Sequence, residues 1–171
     1  MEMSTFFTLW EVTAAVTLER IQIAIKMRKY TTILWDLDQT ILDFARSQDY
    51  ALRYTFCQFD KEIGEAEVSV YAAINDEHWK RMERGEITKE EVLLGRFIVL
   101  FERLGITEIS PEVFGETYQE ALGDVFFFQD EADKLIQQLK EKGYRQYIVT
   151  NGVNRTQAKK IHLSGLDKMV D

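Results

Sequence analysis

The stretch TTILWDLDQTILDF, from Thr31 to Phe44, decides the fold of this chain and marks its predicted functional site. The residues from Thr31 to Trp35 are uncharged and either β-branched or large, which predicts a strand buried on both faces of a parallel sheet. Two aspartates, Asp36 and Asp38, follow one residue apart. Open α/β sheets bind ligands at the carboxyl ends of their strands, so the chemistry is predicted to lie here.

The spacing of Asp36 and Asp38 indicates a cation site. Residues i and i+2 of an extended segment point the same way, so their carboxylates repel each other unless a cation lies between them. Mg²⁺ prefers carboxylate oxygen and usually also holds a substrate phosphate. Two aspartates after a strand also open turns and cap helices, so the pair alone leaves both interpretations open.

Composition limits the class of protein. The chain has 171 residues, 46% of them hydrophobic, which predicts one domain or one domain with an insert. Its formal net charge is -8 without a basic block, which argues against nucleic acid as a partner. The one cysteine, Cys57, has no partner for an internal disulfide, and a reducing cytoplasm is the predicted compartment. No uninterrupted apolar run reaches the length of a membrane span.

About eighty residues after Phe44 follow a helical pattern. Helices are predicted over 47–59 and 65–84, and a third begins at the capping box of Thr88 and Glu91 and ends at Gly105. A fourth begins at Ser110 with proline in the next position. No strand pattern separates the four helices, as expected for a helical insert between pieces of an α/β fold.

The α/β pattern returns near Asp130. A helix ending at Gly143 precedes the strand RQYIVT, which ends in Thr150, Asn151 and Gly152, and another helix follows from about residue 154. A hydroxyl and a glycine beside a helix start predict an anion site. Without its context, TNG is equally an ordinary strand-to-helix turn.

Together, WDLDQT and IVTNG resemble the first two motifs of the haloacid dehalogenase superfamily, and the helices between them resemble its inserted cap. LDQTILDF and VTNGVNRTQAKKIHLSGL are most similar to bacterial pyrimidine 5′-nucleotidases of that superfamily. The resemblance implies an α/β fold, with a Rossmann-like core, a partial parallel sheet and an inserted α-helical cap. It implies a partial core over 27–44 and 124–171 and a cap over 45–123, with 1–26 an extension of uncertain status.

The resemblance also implies residue roles. Asp36 would be the nucleophile that becomes an aspartyl phosphate, and Asp38 the acid and then the base. Mg²⁺ would be held by the Asp36 carboxylate and the backbone carbonyl of Asp38, and Thr150 with the N–H groups of Asn151 and Gly152 would hold the phosphoryl oxygens. An aspartate at position 38 favours phosphate chemistry over dehalogenation. The implied substrate is a small phosphorylated metabolite, a pyrimidine nucleoside 5′-monophosphate, with neither nucleic acid nor membrane as a partner.

The family's third motif, a lysine, and its fourth, an acidic pair, would follow Asp171. Lys159 and Lys160 lie in the helix after TNG and are interpreted as solvated charges instead. Without the later motifs, the alternative is an inactive or weakly active fragment with an exposed sheet edge that invites self-association. The alternating segment 21–25 could cover part of that edge.

The remaining candidates are given structural roles or left open. His78 and His162 lack metal-ligand spacing and are taken as structural or surface residues. The run 126–128, three phenylalanines, is interpreted as packing at the hinge between cap and core. Several aromatic residues could line a nucleobase pocket or pack in the cap, and the sequence supports both: Phe44, Tyr50, Tyr54, Tyr71 and Trp79.

Overall fold

The computed structural model describes residues 30–171. Two strands and six α-helices follow in the order β1 (Thr32–Asp36), α1 (Phe44–Gln58), α2 (Glu65–Glu83), α3 (Lys89–Leu104), α4 (Pro111–Gly123), α5 (Ala132–Glu141), β2 (Arg145–Val149) and α6 (Asn154–Leu163). A short 3₁₀ helix, Leu166–Lys168, ends the described part. Among the described residues, no helix is both long and apolar enough to cross a membrane.

The two strands form a parallel pair, as predicted. Thr32 lies opposite Arg145 and Asp36 opposite Val149, so the carboxyl ends of β1 and β2 are side by side. The strand β1 is less enclosed than its sequence predicts, because only its Trp35 is buried. The cause is that the described sheet has two strands and leaves much of β1 half-buried. The segment 21–25 lies outside the described residues.

Helices α1 to α4 share one hydrophobic cluster. Phe56, Phe97 and Phe114 are buried at its centre, with ring centroids 4.7 to 5.2 Å apart for the pairs that Phe114 forms with the other two. The predicted helix signals are confirmed here: the capping box of Thr88 and Glu91 begins α3, and a left-handed Gly105 follows its last residue.

A second hydrophobic cluster lies beside the sheet. Its buried residues come from β1, the loop after it, α5 and the 3₁₀ helix, and they are Trp35, Leu37, Ile41, Leu42, Ile136, Leu139 and Leu166. The indole of Trp35 donates to Gln146 on β2 at 2.9 Å. No buried member of this cluster belongs to the first one.

Two segments of the chain connect the two clusters, and they lie next to each other. The Asp43 N–H donates to the Phe127 carbonyl at 2.8 Å, and the Gln129 N–H donates to the Ile41 carbonyl at 2.9 Å. Phe126 and Phe128 pack edge to face and are partly buried against the second cluster. The three phenylalanines therefore lie where the two connecting segments pair with each other, and a hinge between cap and core at this point stays a prediction.

Candidate active site

Asp36, at the end of β1, carries an exposed carboxylate. The Thr40 hydroxyl donates to it at 3.4 Å. Surrounding protein atoms partly desolvate this carboxyl and raise its pKa, and the nearby charge of Asp38 raises the pKa further. The structure therefore brings the two predicted carboxylates within electrostatic reach of each other.

Asp38 is half-buried and points to helix α6 rather than to solvent. The Gln157 Nε2 group donates to its Oδ2 atom at 2.6 Å. The Lys160 Nζ atom lies 3.6 Å from its Oδ1 atom. One carboxylate thus meets a different side chain of α6 at each oxygen.

The Thr150 hydroxyl and the Asp38 carboxylate accept hydrogen bonds from the same donor group. The Gln157 Nε2 group that binds Asp38 also donates to Thr150 Oγ1, at 3.0 Å, and the Gly152 N–H donates to the same oxygen at 3.1 Å. Two donors occupy the lone pairs of the hydroxyl, which leaves its own proton to donate to an anion. The Gly152 N–H is engaged within the loop here, unlike its predicted contact with phosphate.

Lys160 contradicts its sequence interpretation as a solvated charge. Its side chain is 1% exposed, and its Nζ atom lies 5.4 Å from the centroid of the Phe44 ring. Burial lowers its pKa, and the charge of Asp38 partly opposes that shift. Lys159 behaves as predicted, since it is exposed and pairs with Asp124. The difference arises because position 160 faces the site and position 159 faces away.

The residues at the end of β1 fit a hard divalent cation. The Asp36 carboxylate and the Asp38 backbone carbonyl are oxygen donors, the kind that Mg²⁺ prefers. Partial desolvation and then the charge of Asp38 raise the pKa of Asp36, because both disfavour its ionised form, and a bound cation would oppose both effects. Within residues 30–171, no three His, Cys, Asp or Glu side chains gather into a metal-binding group.

A cleft of about 260 Å³ opens next to Asp38. It is lined from the sheet side by Asp38 and the 151–153 loop and from the helical side by Phe44, Trp79, Arg96 and Gln119. Arg96 is buried, and it donates to Asn75 Oδ1 at 2.8 Å. The cleft therefore joins the carboxylate to aromatic and polar groups of the helical cluster.

The aromatic candidates separate into three groups. Phe44 and Trp79 line the cleft, whereas Tyr71 is fully buried and stacked on Phe97 in the helical core. Tyr50 and Tyr54 stack on each other in a separate concavity that Asp36 and Asp38 do not line. Tyr71 thus has a packing role.

The two histidines lie away from Asp36 and Asp38. His78 is buried in α2, where its Nδ1 atom lies 2.8 Å from the Ile74 carbonyl oxygen. His162 is exposed, and its Nδ1 atom lies 2.9 Å from Asp167. Both positions agree with structural or surface roles.

Sequence reasoning missed Gln157 and Lys160 as parts of the site. The structure reveals them, because the residues that α6 buries are polar: Thr156, Gln157 and Lys160. When a helix beside a predicted anion site buries polar side chains, those side chains are expected to belong to the site.

The model of the haloacid dehalogenase-like hydrolase family matches residues 30–171. The chain is 35% identical over 140 residues to YfnB of Bacillus subtilis (strain 168), whose name describes it as a HAD-hydrolase. It is 33% identical over 141 residues to the pyrimidine 5′-nucleotidase PynA of Streptococcus pneumoniae (strain ATCC BAA-255 / R6). These alignments cover 82% and 80% of this chain but 59% and 57% of the two relatives.

Solved structures share the fold. A magnesium-bound crystal structure of YfnB superposes with a TM-score of 0.77 at 34% identity, over 83% of this chain and 63% of that one. The L-2-haloacid dehalogenase of Xanthobacter autotrophicus superposes with a TM-score of 0.58 at 16% identity, over 83% of this chain and 55% of its own. The family match, the parallel strand pair and the intervening helices agree: this chain belongs to the haloacid dehalogenase-like hydrolases.

Proposed function

We propose that this protein is a magnesium-dependent phosphomonoester hydrolase that acts through an aspartyl phosphate on Asp36. The observation that carries the proposal is the parallel pairing of β1 and β2, which places the aspartates at one end of the sheet beside Thr150. A nucleophile, a proton carrier and an anion-binding hydroxyl then lie together. Membership of the hydrolase family supports hydrolysis, and the choice of a phosphomonoester as the substrate is our proposal.

In the first step, a carboxylate oxygen of Asp36 attacks phosphorus while the bond from phosphorus to the leaving oxygen breaks. Asp38 gives its proton to that oxygen, so the leaving group departs as a neutral alcohol. The Thr150 hydroxyl donates to a phosphoryl oxygen. The products of this step are the alcohol, the aspartyl phosphate and an ionised Asp38.

In the second step, Asp38 acts as a base. It takes a proton from a water molecule as the water oxygen attacks phosphorus and the bond to Asp36 breaks. Inorganic phosphate leaves, and Asp36 returns as a carboxylate while Asp38 returns in its protonated form. Mg²⁺, when held by Asp36 and the Asp38 carbonyl, would supply charge that screens the attacking carboxylate from the phosphate.

The substrate proposal, a pyrimidine nucleoside 5′-monophosphate, has two supports. PynA, which is 33% identical to this chain, is named a pyrimidine 5′-nucleotidase. The cleft beside Asp38 also offers the rings of Phe44 and Trp79 to a flat leaving group. A cleft of this kind suits a nucleoside better than a small alkyl alcohol.

The test compares the wild-type protein with Asp36→Asn on p-nitrophenyl phosphate and uridine 5′-monophosphate, with Mg²⁺ or with EDTA. We expect phosphate release only from the wild type with Mg²⁺, because an amide is a poor nucleophile. Asp76→Asn is the matched control, since Asp76 pairs with Lys80 on an exposed face of α2. Activity of Asp36→Asn near that of the wild type, or activity that persists in EDTA, would contradict the mechanism.

A further inference from the structure

Asp38 is held from two sides by one helix. Gln157 and Lys160 lie three residues apart on α6, so both side chains face the same way. Both are buried, at 4% and 1% exposed. Gln157 donates to Oδ2 of Asp38, and the ammonium group of Lys160 lies 3.6 Å from Oδ1.

Gln157 also fixes the distance between Asp38 and the anion-binding loop. Its Nε2 group has two N–H bonds, and the nitrogen lies within hydrogen-bond distance of both Asp38 Oδ2 and Thr150 Oγ1. An added Cβ at Gly152 would lie 2.2 Å from that nitrogen. The glycine of the TNG turn therefore leaves the space through which Gln157 reaches both residues.

Lys160 carries an ammonium group in a buried position, which requires a compensating interaction. Burying an ammonium group is costly unless an opposite charge accompanies it, and Asp38 supplies that charge whenever it is ionised, as it is after it has given its proton to the leaving oxygen. Among the described residues, Lys160 Nζ and Asp38 Oδ1 are both buried without a hydrogen-bond partner, and the 3.6 Å ion pair is the contact that joins them. Their attraction therefore resists rotation of the Asp38 carboxylate away from α6.

From these contacts we infer that Gln157 and Lys160 are positioning residues that clamp Asp38 at a fixed place relative to Thr150. The inference rests on the proposed function, in which Asp38 carries the proton to the leaving oxygen. Proton transfer in the transition state needs the carrier within hydrogen-bond reach, so a displaced carboxylate slows this step. Neither residue needs to touch the substrate.

Leaving groups of different basicity provide the kinetic test. A nucleoside alkoxide needs a proton to depart, whereas p-nitrophenolate departs without one. We expect Gln157→Leu and Lys160→Met to lower kcat/KM for uridine 5′-monophosphate by about 10- to 100-fold, and for p-nitrophenyl phosphate by less than about threefold. The ratio kcat/KM excludes the later hydrolysis of the aspartyl phosphate, so it reports the step in which Asp38 acts as acid.

Three further variants serve as controls for this comparison or as a substitute for one of its variants. Lys160→Arg keeps the cation and should restore most of the nucleotide activity, while Lys159→Met removes an exposed charge and should match the wild type on both substrates. Gln157→Met keeps the length and removes the donor without adding a charge beside Asp38, and it carries the test if Gln157→Leu does not fold. Equal losses on both substrates would overturn the inference, because they would mean that the residues only hold the fold.

A crystal structure of Gln157→Leu gives a readout that does not depend on catalysis. We expect the Asp38 carboxylate to occupy a second rotamer or to move by about 1 Å or more. An unmoved carboxylate would overturn the clamp. If the wild-type protein hydrolyses neither substrate with Mg²⁺, the proposed function fails, and the crystal structures still decide whether the clamp exists.

Discussion

At the scale of single residues, Gly152 shows how a missing side chain can serve the site. Its backbone has no left-handed φ, so an alanine would meet no backbone strain there. The space for a Cβ is taken instead by the end of the Gln157 side chain, whose nearest atom would lie at 2.2 Å. The glycine therefore serves close packing rather than a turn conformation.

This contact yields a prediction for Gly152→Ala. We expect the added methyl group to displace Gln157 from Asp38 and Thr150, because a flexible side-chain end yields more easily than backbone. Nucleotide kcat/KM should fall about as much as in Gln157→Leu, with a change in Tm of only a few degrees. The double variant should be no worse than either single one, since both changes remove the same contacts. Additive losses in the double variant would contradict this account.

The sequence predicted that Asp36, Asp38 and the TNG turn lie together, and the structure agrees, because their spacing in short segments carries that information; their catalytic roles stay predictions. It did not identify the role of Lys160, because burial depends on which face of α6 meets the site. A lysine next to another lysine on a short helix looks solvated until the packing of that helix is known.

At the scale of elements, the helix boundaries followed local chemistry closely. The Thr88 hydroxyl accepts from the Glu91 N–H, and the Glu91 carboxylate accepts from the Thr88 N–H, as the capping box predicts. Ser110 accepts from the Val113 N–H, with proline as the first residue of α4. The predicted start of the first helix was wrong. The helix α1 begins at Phe44 rather than Ser47, because the Asp43 side chain caps it.

An ion pair between two loops of the helical cluster yields a prediction about pH. Lys61 Nζ lies 2.5 Å from Glu108 Oε1, and this contact is the main reason that the pKa of Glu108 is about 2 rather than its usual 4.5. Because the folded pKa is the lower one, the stabilisation is complete above pH 4.5 and is lost as the pH falls toward 2. Both groups are partly exposed, so the effect is small and weakens with salt.

The measurement is Tm for the wild type and Glu108→Gln between pH 7 and pH 2.5. We expect the variant to melt slightly lower from pH 7 to about pH 5 and the difference to shrink below that. Glu102→Gln, an exposed glutamate on α3, is the control and should show no such convergence. A difference that grows with acidification would contradict the assignment of the ion pair.

At the scale of the whole molecule, the described residues form two hydrophobic clusters. One lies within α1 to α4, and the other joins β1, α5 and the 3₁₀ helix. These clusters are compatible with the predicted core over 27–44 and 124–171 and the predicted cap over 45–123, a division that stays a prediction. The burial of β1 was overestimated because a strand's own residues do not reveal how many strands flank it.

The cleft beside Asp38 yields the last prediction, on substrate choice. The sequence left five aromatic residues as equal candidates for a nucleobase pocket, and the structure places only Phe44 and Trp79 beside Asp38. If these rings pack on the leaving group, Trp79→Leu and Phe44→Leu should lower kcat/KM for uridine 5′-monophosphate by about 10-fold, since each lost stacking contact is worth roughly 1 kcal/mol or more. Hydrolysis of p-nitrophenyl phosphate should change much less.

Tyr50→Leu is the matched control for this experiment, because Tyr50 is an exposed aromatic residue on α1 that lines the separate concavity with Tyr54. We expect it to leave the preference between the two substrates unchanged. A shift in preference from Tyr50→Leu but not from Trp79→Leu would mean that the substrate lies in the other concavity. Parallel losses on both substrates from Trp79→Leu would instead mean that the ring only packs the helical cluster, and the specificity would then have to come from the polar side of the cleft, where Arg96 and Gln119 lie.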